Sequence, residues 1–390
     1  MLRRSVTSED GAGGATRTAP EAGFGGAART APEVTPGAAG NGRPVLQIED
    51  LRVEFRSLRG VVKALNGVHL TVHEGEIVGL VGESGCGKTV TGYSVLGLLP
   101  RPQAQVTSGR ILFKGEDLLA KPAKEMRAMK GKVISMVFQD PLASLNPVFT
   151  VGEQISRVVR VHKDVKKKAA LEATKTALQA TGLPPTDALL KSYPHQLSGG
   201  MRQRVCMAMA ISCGSAMLVA DEPTTALDVT IQMQILKLLL RLREELGVAQ
   251  ILITHNVGVA AQTCDRIAVM YAGNVVEEGP TAEVLKRPRH PYTLALIECL
   301  PQGKTAVELQ TIPGTVPDLI APPAGCRFHE RCAHVREICR DSLPTPVEVA
   351  RAHWTACHWV QETMAGGLET GRDAGGAAES LVPAPGDEGA

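Results

Sequence analysis

Residues 82–89 read Gly82-Glu83-Ser84-Gly85-Cys86-Gly87-Lys88-Thr89 and meet every fixed position of the pattern G-x-x-x-x-G-K-[ST]. The glycines let the backbone wrap so that successive N–H groups and a helix start point at one anion. Lys88 is then placed to reach the β- and γ-phosphates of a nucleotide, and the Thr89 hydroxyl to ligate Mg²⁺. A second chemical pair, Asp221-Glu222, closes the apolar run Met217–Ala220. At a strand end these acids suit a Mg²⁺ ligand, direct or through water (Asp221), and a general base that orients and polarises an attacking water (Glu222). Four cysteines gather late in the chain, Cys326, Cys332, Cys339 and Cys357, spaced C-x₅-C-x₆-C-x₁₇-C. Their density suggests a metal or cluster site, but the C-x₂₋₄-C pairs usual for zinc are absent, and unligated thiols are the plain alternative.

These groups need elements that end at one place. Glu76–Val81 is a short apolar run of strand type before the phosphate octet, and Thr89–Leu99 has the length and residue types of a helix after it. Val45–Phe55 and Val61–Val72 read as strands ahead of the octet, and Arg110–Phe113 and Lys132–Phe138 as strands behind it. Residues 150–190 read as helices, with Lys166, Lys167 and Lys168 on a solvated face. From there helix and strand alternate: Met201–Cys213 (helix), Met217–Ala220 (strand), Val229–Leu246 (helix), Gln250–Thr254 (strand), Val257–Cys264 (helix), then strands Ile267–Tyr271 and Val275–Glu278. Such alternation implies an α/β fold with a mainly parallel sheet, whose active groups collect at strand C-termini.

Residues 1–43, rich in Gly, Ala, Pro and Thr and containing a degenerate duplication (Gly13–Phe24 against Gly25–Pro36), and the Gly/Ala-rich, acidic 361–390 are expected to be disordered tails. A net charge of +2 and 3% aromatics disfavour nucleic acid as a partner. No run of 18 apolar residues occurs, so no membrane span is expected, and Met1-Leu2-Arg3-Arg4 is not followed by the apolar segment of a secretory signal. A reducing cytosol is the default, which makes the nine cysteines thiols or ligands rather than disulfides. Cys86, Cys206, Cys213, Cys264 and Cys299 are scattered and read as core or incidental residues.

Leu197-Ser198-Gly199-Gly200-Met201-Arg202-Gln203-Arg204, just before the Asp221-Glu222 strand, resembles the signature motif of ATP-binding cassette (ABC) ATPases, and 44–285 agrees with that family in motif order. The resemblance implies the family's P-loop fold: a mainly parallel core sheet with an antiparallel β-subdomain and a helical subdomain. It also implies roles. Gly82, Ser84, Gly85, Cys86, Gly87, Lys88 and Thr89 hold ATP, Phe55 stacks on adenine, and Thr89, Gln139 (the Q-loop glutamine) and Asp221 hold Mg²⁺. Glu222 with the switch histidine His255 and with Gln139 is catalytic. Asp228 closes the D-loop Thr225-Ala226-Leu227-Asp228. Ser198, Gly199 and Gly200 face the γ-phosphate held by a second subunit.

The resemblance narrows further. Phe138-Gln139-Asp140-Pro141 with Ser144-Leu145-Asn146-Pro147, then His290-Pro291-Tyr292-Thr293, then Ile312-Pro313-Gly314 with Pro317, look like the ATP-binding subunits of oligopeptide/dipeptide and nickel importers. Residues 286–360 are similar to the C-terminal extension of that subfamily. Some dipeptide-importer subunits place four such cysteines around a [4Fe–4S] cluster, so the resemblance favours that over zinc. The implied partners are a second, different ATPase subunit, two membrane permeases and an extracellular or periplasmic solute-binding protein, with the chain on the cytoplasmic face. A nickel importer subunit, a soluble ABC ATPase with a non-transport role, and a cluster-bearing sensor in which ATP is regulatory are the competing readings.

Overall fold

The computed structural model of the protein describes residues 42–300 and 311–365. Its strands, in chain order, are β1 (Pro44–Ser57), β2 (Gly60–His73), β3 (Ile77–Val81), β4 (Ala104–Phe113), β5 (Glu116–Asp117), β6 (Ile134–Val137), β7 (Met217–Asp221), β8 (Ala249–Thr254), β9 (Arg266–Tyr271), β10 (Asn274–Pro280), β11 (Val347–Ala350) and β12 (His353–Thr355). They form two sheets, one in the order β2-β1-β4-β5 and one in the order β11-β12-β10-β9-β3-β8-β7-β6. The first is antiparallel. In the second, β9-β3-β8-β7-β6 run parallel, and β10, β12 and β11 add an antiparallel edge.

The parallel strands are almost wholly buried and mainly apolar because both of their faces are covered. Side chains alternate along a strand, and here the two parities enter two different cores. From β3, Ile77 and Val81 join the core under the helices, while Val78 and Leu80 join the core between the sheets. β7 and β8 divide the same way: Leu218, Ala220 and Leu252 on one side, Met217, Val219, Ile251 and Ile253 on the other. Gly79 lies opposite Cys264, whose Sγ would stand 2.8 Å from an added Cβ, so the helix Val257–Thr263 packs directly on β3.

Between β6 and β7 comes the helical block. Val151–Lys163 begins with Thr150 accepting from the N–H of Glu153 while the Glu153 carboxylate accepts from the Thr150 N–H, a capping box. Lys167–Ala180 and Asp187–Lys191 follow, then Gly199–Ile211. Lys166, Lys167 and Lys168 are exposed at a helix start, as a solvated face should be.

Some expected bounds move. The helix after the phosphate octet stops at Val95, because Gly97 turns the chain with φ 57°. The boundary expected at 285 falls inside the helix Thr281–Lys286, and β11 and β12 of the C-terminal region are strands of the main sheet. The helix His358–Ala365 occupies the first residues of the expected C-terminal tail; residues 366–390 and 1–41 lie outside the described residues.

Candidate functional site

The register of the parallel strands decides where the site forms. Val81 pairs with Thr254, Asp221 with Ile253 and Val137 with Ala220, so β3, β8, β7 and β6 end together. Just beyond those ends stand the phosphate loop, His255, Asp221-Glu222 and Gln139.

The loop turns through glycines with left-handed backbone at Gly85 (φ 80°) and Gly87 (φ 108°). At Gly82 an added Cβ would meet the Met270 carbonyl oxygen at 2.1 Å, which excludes any side chain. Gly87 caps the helix Lys88–Val95 without a side-chain bond, leaving the N-terminal N–H groups for an anion. Ser84 and Gly85 are exposed at the rim, and Cys86 is buried, with its thiol raised by burial against the lowering influence of Lys88. Lys88 is buried and folds over the loop, its Nζ donating to the carbonyls of Gly82 (2.8 Å) and Glu83 (2.9 Å). A phosphate oxygen offers Lys88 a charged acceptor in their place.

Thr89 Oγ1 donates to Asp221 Oδ1 at 3.1 Å. This hydroxyl and this carboxylate are hard oxygen donors of the kind Mg²⁺ takes, with phosphate oxygens and water completing the set. Burial pushes the Asp221 carboxyl up to about 6, the Thr89 hydrogen bond working against it.

Glu222 is held from several sides. Its N–H donates to the Ile253 carbonyl (2.9 Å) and its φ is 45°. Gln139 Nε2 (3.1 Å) and Thr225 Oγ1 (2.9 Å) donate to Oε2, and His255 Nδ1 lies 3.0 Å from Oε1. Burial works to raise this carboxyl, but the His255 and Thr225 hydrogen bonds and the charges of His255 and Lys88 outweigh it and hold it below its ordinary range. An ionised, oriented carboxylate beside a phosphate cradle can accept a proton from water.

Ser198 and Asp228 are N-caps: Ser198 Oγ accepts from Met201 N–H (3.3 Å) and Asp228 Oδ1 from Ile231 N–H (2.9 Å). Gly200 lies against Ile231, where an added Cβ would stand 2.6 Å from Cγ2, so the helices Gly199–Ile211 and Val229–Leu246 cross at their starts. Phe55, half-buried on β1, lies across from Val62 and Ala104. The first group thus gathers at the strand ends, whereas Ser198, Gly199, Gly200 and Asp228 form a second cluster at crossing helix starts. Sequence reading missed Thr225 as a partner of Glu222 although it stood in the quoted D-loop.

In the C-terminal region the run 342–346, broken by Pro344 and Pro346, leads into the β11–β12 hairpin, which returns Cys357 towards the other thiols. The His329 N–H donates to the Cys326 carbonyl (3.1 Å) and the Gln361 N–H to the Cys357 carbonyl (3.1 Å). His334 N–H points at Cys332 Sγ and Arg336 N–H at Cys339 Sγ, each at 3.4 Å. Burial pushes Cys326 up to about 11 and Cys357 up to about 12, and each also senses the charge of neighbouring cysteines. Among the described residues, however, no three His, Cys, Asp or Glu side chains converge as metal ligands, so the closed four-thiol site expected from the sequence is not formed in this arrangement.

Fold and site define an ABC-type ATPase. The ABC transporter family matches residues 65–225, and the family described as oligopeptide/dipeptide transporter, C-terminal region, matches residues 276–339. The chain is 47% identical over 322 residues to the dipeptide transport ATP-binding protein DppD of Bacillus subtilis, covering 82% of this chain and 96% of that protein. It is 44% identical over 305 residues to the oligopeptide transport ATP-binding protein OppD of Salmonella typhimurium, covering 77% and 89%. Among solved structures it is similar to the dimeric post-hydrolysis state of the ATP-binding cassette MJ0796 bound to ADP and Pi, with TM-score 0.55, 26% identity and coverage of 60% of this chain and 98% of that one. The chain belongs to the family of oligopeptide/dipeptide ABC transporter ATP-binding subunits, and its reaction is the hydrolysis of ATP with Mg²⁺.

The raised Asp221 carboxyl gives a prediction with a defined sign. Its folded value of about 6 lies above the unfolded 3.8, so its favourable contribution is full below the lower value and is lost as pH rises through the upper one. Asp221→Asn should therefore make the ligand-free chain more stable than wild type at pH 7, by on the order of 2 kcal/mol, with the gap closing near pH 4. The same variant should lose Mg²⁺-dependent turnover. Urea denaturation at both pH values checks this, and equal stabilities at pH 7 would show that Asp221 carries no burial penalty.

Proposed function

We propose that this chain is the ATP-hydrolysing subunit of an importer of di- or oligopeptides. It works at the cytoplasmic face of the membrane, driving two separate permease subunits supplied by an extracellular or periplasmic solute-binding protein. The observation that carries the enzymatic reading is Glu222, held by Gln139, Thr225 and His255 beside the phosphate loop. The peptide reading is supported by the relatives' names and by the C-terminal region shared with them. No helix among the described residues is long and apolar enough to cross a membrane, which suits a chain that acts through separate permeases.

In this proposal the backbone from Ser84 to Thr89, with Gly82 as the tight turn, cradles the phosphates, Lys88 binds their terminal oxygens, and Phe55 stacks on adenine. Thr89, Gln139 and Asp221 hold Mg²⁺, Glu222 takes the proton of the attacking water, and His255 orients Glu222 and the γ-phosphate. Two such subunits, the second a different polypeptide, close head to tail. Ser198, Gly199 and Gly200 then face the γ-phosphate bound at the partner's loop, with Asp228 at the seam. A helix start carrying a serine and two glycines is a second anion site in its own right.

Cys326, Cys332, Cys339 and Cys357 are proposed to hold a [4Fe–4S] cluster with a structural role. The backbone N–H groups aimed at the sulfurs of Cys332 and Cys339 are the contacts that stabilise thiolate ligands once a metal removes the protons. Such a cluster would draw the four sulfurs together and fix the fold of the C-terminal region. Anaerobically purified protein should be brown, with broad absorption near ~400 nm and about four irons per chain. One tightly held zinc, or four freely reactive thiols, would overturn this assignment.

The enzymatic reading is tested by Glu222→Gln, which keeps the shape of the side chain but cannot accept a proton. In the complex assembled with its permeases, turnover should fall on the order of 10²-fold or more while ATP binding is retained. Wild-type hydrolysis in that variant would remove Glu222 from the mechanism.

A further inference from the structure

The phosphate loop carries an acid, Glu83, although its ligand is a polyanion. We propose that Arg331, from the C-terminal region, is a positioning residue of the nucleotide site: it sequesters the Glu83 carboxylate so that Lys88 remains free for phosphate. The proposal rests on the ATPase activity and not on which solute is transported.

The contact is a two-pronged ion pair, Arg331 Nη1 to Glu83 Oε2 at 2.8 Å and Nη2 to Oε1 at 3.1 Å. Its arginine side is fixed in advance. Nε donates to the Pro313 carbonyl (2.8 Å), Nη2 to the Ile312 carbonyl (3.2 Å) and Nη1 to Tyr271 Oη (3.2 Å), and the guanidinium carbon lies 5.7 Å from the Tyr271 ring centre and 6.0 Å from that of Phe328. The Arg331 side chain is 5% exposed, against 26% for Glu83, so the pair is largely withdrawn from solvent screening.

Glu83 meets the same region a second time. Its N–H donates to Tyr292 Oη at 3.0 Å, which gives the His290-Pro291-Tyr292-Thr293 motif a physical task. Its carbonyl receives Lys88 Nζ. One residue therefore joins the phosphate lysine to Tyr292 and Arg331. The neighbouring contacts run the same way: Lys63 N–H donates to the Leu319 carbonyl (2.8 Å), and Arg327 bonds the carbonyls of Lys63 and Ala272, holding the β1–β2 hairpin that bears Phe55.

Without Arg331 the Glu83 carboxylate is an uncompensated charge on the loop that repels the phosphates, and it is free to turn towards Lys88, the cation already bonded to its own carbonyl. Charge, then, and not packing alone, sets the expected pattern. Arg331→Met should weaken MgATP binding and raise its KM about ten-fold, as for exposing one like charge near the ligand, with a smaller change in kcat. Adding Glu83→Gln, which removes the acid, to Arg331→Met should restore most of the affinity that Arg331→Met loses.

The test is MgATP affinity of the full-length chain by calorimetry, with KM and kcat in the assembled complex and thermal unfolding of each variant. Recovery in the double variant supports the proposal. A double variant as weak as Arg331→Met, or an unchanged KM in Arg331→Met, overturns it, the former by showing that Arg331 only packs. Should Arg331→Met fail to fold, Arg331→Lys, which keeps the cation, decides: affinity within a few-fold of wild type supports the proposal, and a ten-fold loss contradicts the charge argument. Wild-type chain that binds no MgATP would instead refute the ATPase reading itself.

Discussion

Glu222 occupies a left-handed backbone conformation (φ 45°) that a residue with a side chain adopts at a cost of about 1–3 kcal/mol. The surrounding structure over-determines it. Its N–H is taken by β8 through Ile253, its carboxylate by Gln139 beyond β6, by Thr225 in the following turn and by His255 beyond β8. The holders come from the ends of three strands, so the constraint is met only if β6, β7 and β8 keep their register. The fully buried strands and the two cores that clamp them from either face supply that rigidity. The fold can thus be read as the support for one strained, ionised carboxylate.

The electrostatics around that carboxylate are unbalanced in the free chain. Asp221 is held towards its neutral form by burial, and Glu222 is held ionised by hydrogen bonds and by positive charge. In the proposed mechanism these adjacent acids with opposite tendencies divide the work, Asp221 as a Mg²⁺ ligand and Glu222 as the acceptor of a proton from water. Lys88 meanwhile rests on the carbonyls of its own loop. Under that mechanism MgATP would offer a cation to Asp221 and anionic oxygens to Lys88, which links ligand binding to the order of the site.

Much of this was legible in the chain itself, because the octet 82–89, the Asp221-Glu222 strand end and the helix-start serine at 198 are local patterns whose chemistry follows from a few consecutive residues. The helix Val229–Leu246 carries a capping aspartate, a leucine face and a closing glycine, and its bounds could be read directly. What escaped is non-local. Arg331 meets Glu83 across 248 positions, with no periodicity to announce it. β11 and β12 span only four and three residues, too short to read as strands, yet they extend the main sheet and bring Cys357 home. The four cysteines were visible as a spacing, but whether they close on a metal depends on protonation and occupancy, which spacing does not encode.

In the proposed dimer this chain holds its own nucleotide at the phosphate loop and lends its Ser198 helix start to the partner's site; in the chain itself these are separate clusters. ATP bearing a photoreactive group on the γ-phosphate tests this directly in the assembled complex, with this chain carrying Lys88→Ala so that nucleotide is held only at the partner subunit's loop. The account predicts that the label appears on this chain, in the peptide spanning 198–202. Label confined to the subunit that binds the nucleotide would contradict it.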